Sequence, residues 1–421
     1  MFRTSLTVAA AALLAAAPLT AQTIAIEGGT VHPMTSAPIE NGTVLIRDGE
    51  IVAVGTDVDV PEGARRIDAT GMNVTPGYFE SNTHMGLTEV GAVDGTNDFA
   101  MREEDRVTAA FNVAEGINPR SVVIPVTRIA GVTTAVTVPA GGLIAGKGVI
   151  IDLAGESLSD LLVETPVAMF ATLGEGSQDA GGGARAGSTM RLRELLDDAR
   201  VYSERRADYN RNATRDFSAS RLDLEALIPV IEGELPLVIE AHRASDIRTA
   251  MRIAEEYDLD LIISGGTEAW MIADEIAAAG VPVVLKVLQN LPQNFEQLGA
   301  RYDNAAILDR AGVKIAISTG DTHNARDIKQ EAGNAVAYGL PHPEALRAIT
   351  LYPAQIWGVE DSHGSLEPGK VANVVVWNGD PLELLTPVEY VFIEGREIPL
   401  VSRQTQLRDR YLDLDNRRRA Y

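Results

Sequence analysis

The sequence predicts an α/β protein built on a (β/α)8 barrel with a small β region beside it, and three observations carry that expectation. Between residues 76 and 319, strand-like and helix-like stretches alternate, which is the pattern of parallel βα units rather than of an all-β fold. The chain has 421 residues, enough for a barrel of ~250 residues and a smaller companion. Both ends of the chain carry short alternating strands and turns instead.

Taken in order, residues 1–21 show Arg3, an apolar run from Leu6 to Ala17 and a small residue at Ala21. That order predicts a secretory signal peptide cleaved after Ala21, because the apolar core is well short of the ~20 residues that span a bilayer. The mature chain is therefore expected to be periplasmic or secreted, without a membrane anchor. It has no cysteine, so neither a disulfide nor a thiolate nucleophile is available. Its net charge of −23 argues against nucleic acid and leaves a small molecule as the expected partner.

From Thr23 to Gly55 the residues alternate as short strands, with Asp48-Gly49 marking a tight hairpin turn. Strands of the central region are expected at 76–82, 131–139, 167–174, 235–242, 260–264, 282–287 and 313–319, and no eighth is evident. After His242, the segment Ser245 to Tyr257 places Ile247, Met251, Ala254 and Tyr257 on one helical face, with Ser245 as the N-cap. Residues 91–121 and the glycine-rich 176–190 interrupt this rhythm as long connections. They read either as lids over strand ends or, for the second, equally as a disordered insert. Short strands return at 364–383 and 389–398, and a charged helical tail follows from Arg403 to Arg418.

Of six histidines, His84, His242 and His323 follow strand ends, where a barrel enzyme gathers its working residues; His32, His342 and His363 are expected at the surface. In VTPGYFESNTHMGL, residues 74–87, Asn82 and His84 stand two apart and so share one strand face, the geometry of a two-ligand metal clip.

Pro76, Gly77, Glu80, His84 and Gly86 of that stretch resemble the first-strand signature of the amidohydrolase superfamily, with Asn82 in place of the first of its two histidines. LPLVIEAHRASDI resembles the fifth-strand motif, which implies that His242 is a metal ligand. DLIISGGTEAW resembles the sixth-strand region, with Gly265 where a histidine would stand. VKIAISTGDTHNAR resembles the eighth-strand region and implies that Asp321 binds metal and takes a proton from the attacking water; a turn-forming aspartate is the alternative. His323 would orient substrate, donate a proton or replace a missing ligand. ALRAITLYPAQIWGVEDSHGSLEPGK resembles a structural block of the same family, with Tyr352 for the usual asparagine, and Asn373 follows where an aspartate is usual.

This resemblance, to the exported imidazolonepropionase-like branch, implies that residues 22–73 and 364–400 pair into one β-sandwich, that 74–363 form the barrel and that 401–421 are a helical tail. Phe170 stands where a bridging lysine could have served, which speaks against two metals. One zinc-like ion held by His84, His242 and Asp321, with Asn82 as a fourth contact, has the three protein ligands of a catalytic zinc site. The implied activity is hydrolysis of an amide or cyclic amide by metal-activated water. The competing expectation is a catalytically degenerate homologue that serves as a binding protein or as the partner subunit of an active paralogue. A homodimer or such a heterodimer is the expected assembly.

Overall fold

The two ends of the chain are hydrogen-bonded into one sheet. The computed structural model describes residues 23–101, 106–289 and 292–412, so the leader expected at 1–21 lies outside them. Strands Glu50–Gly55, Ile39–Arg47, Thr23–Val31, Asn73–Pro76, Val374–Trp377, Val388–Ile393 and Arg396–Glu397 follow one another across the sheet, and Arg65–Asp68 pairs with Thr23–Val31 as its eighth strand. The junction of the two ends is antiparallel, from Asn73 opposite Trp377 to Pro76 opposite Val374. Ile24, Ile26, Val44, Ile46, Val374 and Phe392 fill a single apolar cluster on it. One continuous hydrogen-bonded path of strands carries that cluster. At the hairpin, Arg47 lies opposite Glu50 while Asp48 and Gly49 take φ of 54° and 90°, the left-handed pair that a two-residue turn requires.

Seven strands of the α/β body, parallel to their neighbours among them, fall on the seven predicted stretches: β1 (Tyr78–Thr83), β2 (Val132–Thr137), β3 (Met169–Thr172), β4 (Leu237–Ala241), β5 (Leu261–Gly265), β6 (Val283–Leu285) and β7 (Ile315–Ile317); Ile144–Lys147, Val149–Asp152 and Leu162–Glu164 add antiparallel strands to the same two sheets. β1 and β2 belong to one sheet, and β3 to β7 follow in order in another. One residue in two of each strand faces inward. Phe79 and Val136 of the first sheet thereby join Phe170, Val238, Ile262, Val284 and Ala316 of the second in one cluster. The alternate residues Ile239, Ala241 and Ile263 face the helices, where Ile247 and Ile253 of helix Ala244–Tyr257 meet them. That helix starts one residue before Ser245, with Arg243 at its N-cap and no side-chain cap, so Ser245 lies inside its first turn.

β1 and β7 are edge strands of different sheets, joined by other means. Phe79 N donates to Ile349 O and Ile317 N to Ala348 O, each at 2.8 Å, so one turn of backbone ties both strands. Beside it the Glu80 carboxylate accepts from Ser318 Oγ, from Thr319 N at 3.1 Å and from Thr319 Oγ1 at 2.8 Å.

The glycine-rich stretch is ordered. It forms a turn over Glu175–Gly181 and then enters helix Arg185–Glu204. A Cβ on Gly187 would lie 1.9 Å from Gly181 O, so these glycines permit a close backbone crossing. His363, expected at the surface, is 5% exposed. Its Nε2 lies 3.2 Å from Asp152 Oδ2, a buried carboxylate that also accepts from Thr134 Oγ1 at 2.7 Å and Asn373 Nδ2 at 3.0 Å, which ties the body to the end sheet. The C-terminal helix covers Arg403–Leu412, and the rest of the expected tail lies outside the described residues.

Candidate active site

A cavity of about 570 Å³ opens at the C-terminal ends of β4 to β7. Strand alternation builds its wall: two residues beyond inward-facing Val238, Ile262, Val284 and Ala316 come Glu240, Ser264, Lys286 and Ser318, and all four line it. A larger cavity, about 840 Å³, lies mainly against helices Arg185–Glu204 and Ala244–Tyr257 and touches the strand ends only at Leu173 and Gly174, just past β3. Its Arg185, Arg193 and Arg215 are already paired with carboxylates, so the smaller cavity is the better candidate.

His242 and Asn82 line this cavity; His84, Asp321 and His323 do not. His242 Nδ1 lies 2.7 Å from Thr267 Oγ1, while Nε2 lies 3.4 Å from both Glu240 Oε1 and Gln297 Nε2. His84 takes a different posture. Its Nδ1 is 2.9 Å from Val138 O, its ring stacks on Phe99 at 4.0 Å, and burial pushes its imidazole below the ordinary value. Asp321 behaves as the turn-forming aspartate, since Oδ1 accepts from His323 N at 2.9 Å and Asn324 N at 3.2 Å, and Oδ2 from Asn324 Nδ2 at 3.1 Å. Burial pushes that carboxyl up, but these bonds and the Lys286 charge outweigh it and hold it below the usual range. His323 turns to the segment that follows β1, with Nε2 3.0 Å from Glu89 O.

The donor set implied by the resemblance is therefore not assembled. Among the described residues no three His, Asp or Glu side chains are grouped to hold a metal ion. The place of the missing sixth-strand histidine is also taken: a Cβ at Gly265 would lie 2.7 Å from His242 Cε1, and Gly265 has φ of 87°. The His242 ring fills the space a ligand at 265 would need. These residues do not fit a catalytic ion that wants three strong ligands.

The site also contains residues that no histidine motif marks. Glu240, Lys286, Ser264 and Ser318 were legible from the alternation rule applied two residues past each apolar inward position. Glu80 is fully buried between β1 and β7, and burial pushes its carboxyl up to about 7 against the hydrogen bonds from Ser318, Thr319 and Asn82.

The chain resembles known proteins along most of its length. Residues 261–398 match the profile of the Amidohydrolase family. The crystal structure of an amidohydrolase from Thermotoga maritima MSB8 aligns with a TM-score of 0.82 and 30% identity over 89% of this chain and 99% of that one. An imidazolonepropionase of Pseudomonas paraeruginosa is 27% identical over 400 residues, 86% of this chain and 92% of that protein. The amidohydrolase tasK of Hapsidospora irregularis is 23% identical over 387 residues, which cover 84% of this chain but only 39% of that longer protein. With a solved relative matched over nearly its whole length, the chain belongs to the amidohydrolase family, hydrolases that act on carbon–nitrogen bonds.

Proposed function

We propose that this chain hydrolyses the carbon–nitrogen bond of a small amide or cyclic amide in the cavity at the ends of β4 to β7, with side chains rather than a bound ion activating the water. The observation that carries this reading is the Glu240–His242 pair facing the cavity, where no metal-ligand group is assembled among the described residues. His242 Nε2 is placed to take a proton from water, and the imidazolium so formed would sit beside the Glu240 carboxylate. The amide N–H groups of Asn82 and Gln297, both in the wall, can donate to the carbonyl oxygen as charge develops on it. The proton held by His242 then goes to the departing nitrogen. The apolar cluster shared by both sheets supports reading the body as a (β/α)8-type barrel, in which strand C-terminal ends are the usual seat of catalysis. Export after Ala21 belongs to the same reading.

A second reading, the degenerate homologue that binds without hydrolysing, is favoured by Asn82 and Gly265 standing where the family's imidazoles would be. One experiment separates them. The purified chain is assayed against a panel of amides and cyclic amides, as isolated, with a chelator and with excess zinc. Turnover that survives chelation and vanishes in His242→Ala supports side-chain catalysis. Turnover only with zinc returns the metal mechanism, and binding without turnover under every condition establishes the degenerate reading.

A further inference from the structure

The cavity holds one cation that no hydrogen bond or ion pair among the described residues engages. Lys286 follows β6 on the same inward face as Val284, lines the cavity, and is exposed there. Its ammonium makes no hydrogen bond or ion pair among the described residues. The carboxylates nearest in effect are occupied elsewhere. Asp321 is taken by the His323 and Asn324 donors, and Glu331 Oε2 accepts from Val287 N at 2.8 Å and Leu288 N at 2.7 Å. Both feel the Lys286 charge, yet neither bonds to it.

From this we infer that the ligand of the cavity is an amide that carries a carboxylate, and that Lys286 receives that carboxylate. The inference rests on the site proposed above, and it names the ligand class. One lysine and no arginine in the wall suits a single negative charge better than a phosphate dianion, which is usually met by several donors. The geometry also sets the spacing. β5 separates β4 from β6, so the ends bearing His242 and Lys286 stand roughly 10 Å apart at ~4.8 Å per strand. The lysine side chain covers part of that gap, and two or three bonds between amide carbon and carboxylate cover the rest, the spacing found in an N-acylated α-amino acid. The other wall groups on that side, Gln289 and Gln293, are neutral amides that can bond to the acid without competing for Lys286.

The test is calorimetric titration of the full chain with a panel of N-acetyl amino acids of increasing side-chain size, each paired with its neutral C-terminal amide. At least one acid should bind tenfold or more tighter than its amide, and sodium chloride should erode the difference. In Lys286→Met the preference should disappear while the amide's affinity stays unchanged, and Lys286→Arg should restore most of it. Should Lys286→Met fail to fold, Lys286→Gln and the salt dependence of the wild type carry the same comparison. Equal binding of acids and amides, a preference that survives in Lys286→Met, a preference for inorganic phosphate over every acid, or no binding by any acid overturns the inference. Acid-selective binding without hydrolysis would leave it standing and remove the catalytic reading instead.

Discussion

Two strand ends in this molecule carry nearly the same sequence device and put it to different uses. At β1 the pair is Asn82 and His84, at β4 it is Glu240 and His242, and each histidine falls one residue past its strand. Only the second pair reaches the cavity together. β4 is paired without a break, from Leu237 to Glu240 with β3 and from Leu237 to Ala241 with β5. β1 is irregular against β2, with register shifts between Tyr78 and Phe79 and between Glu80 and Thr83. A shift of one residue exchanges the faces of a strand, so the alternation that sends His242 inward fails before it reaches His84. The lesson is that spacing reports a shared face only where the ladder beside it is unbroken.

The sharpest way to break this comparison is to truncate both histidines. His242→Ala should lower kcat/KM roughly 10³-fold, within the 10²–10⁴ range for a lost proton acceptor, whereas His84→Ala should cost less than about tenfold. Steady-state kinetics on one amide substrate decides it, and the reverse order would return the working role to β1.

Next in size is the titration of Glu80 at the β1–β7 seam. Its carboxyl rises on folding from 4.5 to about 7, so the folded chain holds the proton more tightly than the unfolded one. That contribution is full below pH ~4.5, is lost as the pH rises toward 7, and totals roughly 3 kcal/mol. Denaturant midpoints taken between pH 4.5 and 8 should fall accordingly in the wild type and flatten in Glu80→Gln. An unchanged slope in the variant would assign the dependence to other groups.

Restoring the histidine absent from β5 sharpens the contrast from the other side. Gly265→His should cost about 2–4 kcal/mol, from a left-handed residue and overlap with the His242 ring, and should not create a metal site. Urea melts and elemental analysis read both effects; zinc bound at one ion per chain with stability intact would show that His242 can move aside. The smallest effect concerns the wild type itself, which after dialysis from excess zinc should hold well below one ion per chain with its melting temperature unchanged.

Much of the body was legible because apolar runs bounded by turns mark buried strands, and all seven parallel strands arise that way. The helix after His242 was legible by its buried face, although its start was not, since Arg243 rather than Ser245 occupies the cap. What escaped depended on distant partners. His363 is buried because Asp152, far away in sequence, sits beside it. The glycines at 181 and 187 look like an unstructured insert until one backbone is seen crossing the other. Glu80 falls at a family position, but nothing local reveals that Ser318 and Thr319 will meet it. For the site, motif resemblance drew attention to histidines, while the simpler period-two rule would have found Glu240 and Lys286.

The joining of both chain ends in one sheet also sets a clock. Asn73–Pro76 has its partner in Val374–Trp377, and β1 meets its tie at Ala348 and Ile349. Synthesis at ~5–20 residues per second puts the arrival of that partner about 15–60 s after the first strands emerge. Throughout that interval Thr75 and Pro76 present an unmatched edge, of the kind that recruits foreign strands. That edge closes only when residues 374–377 have been made.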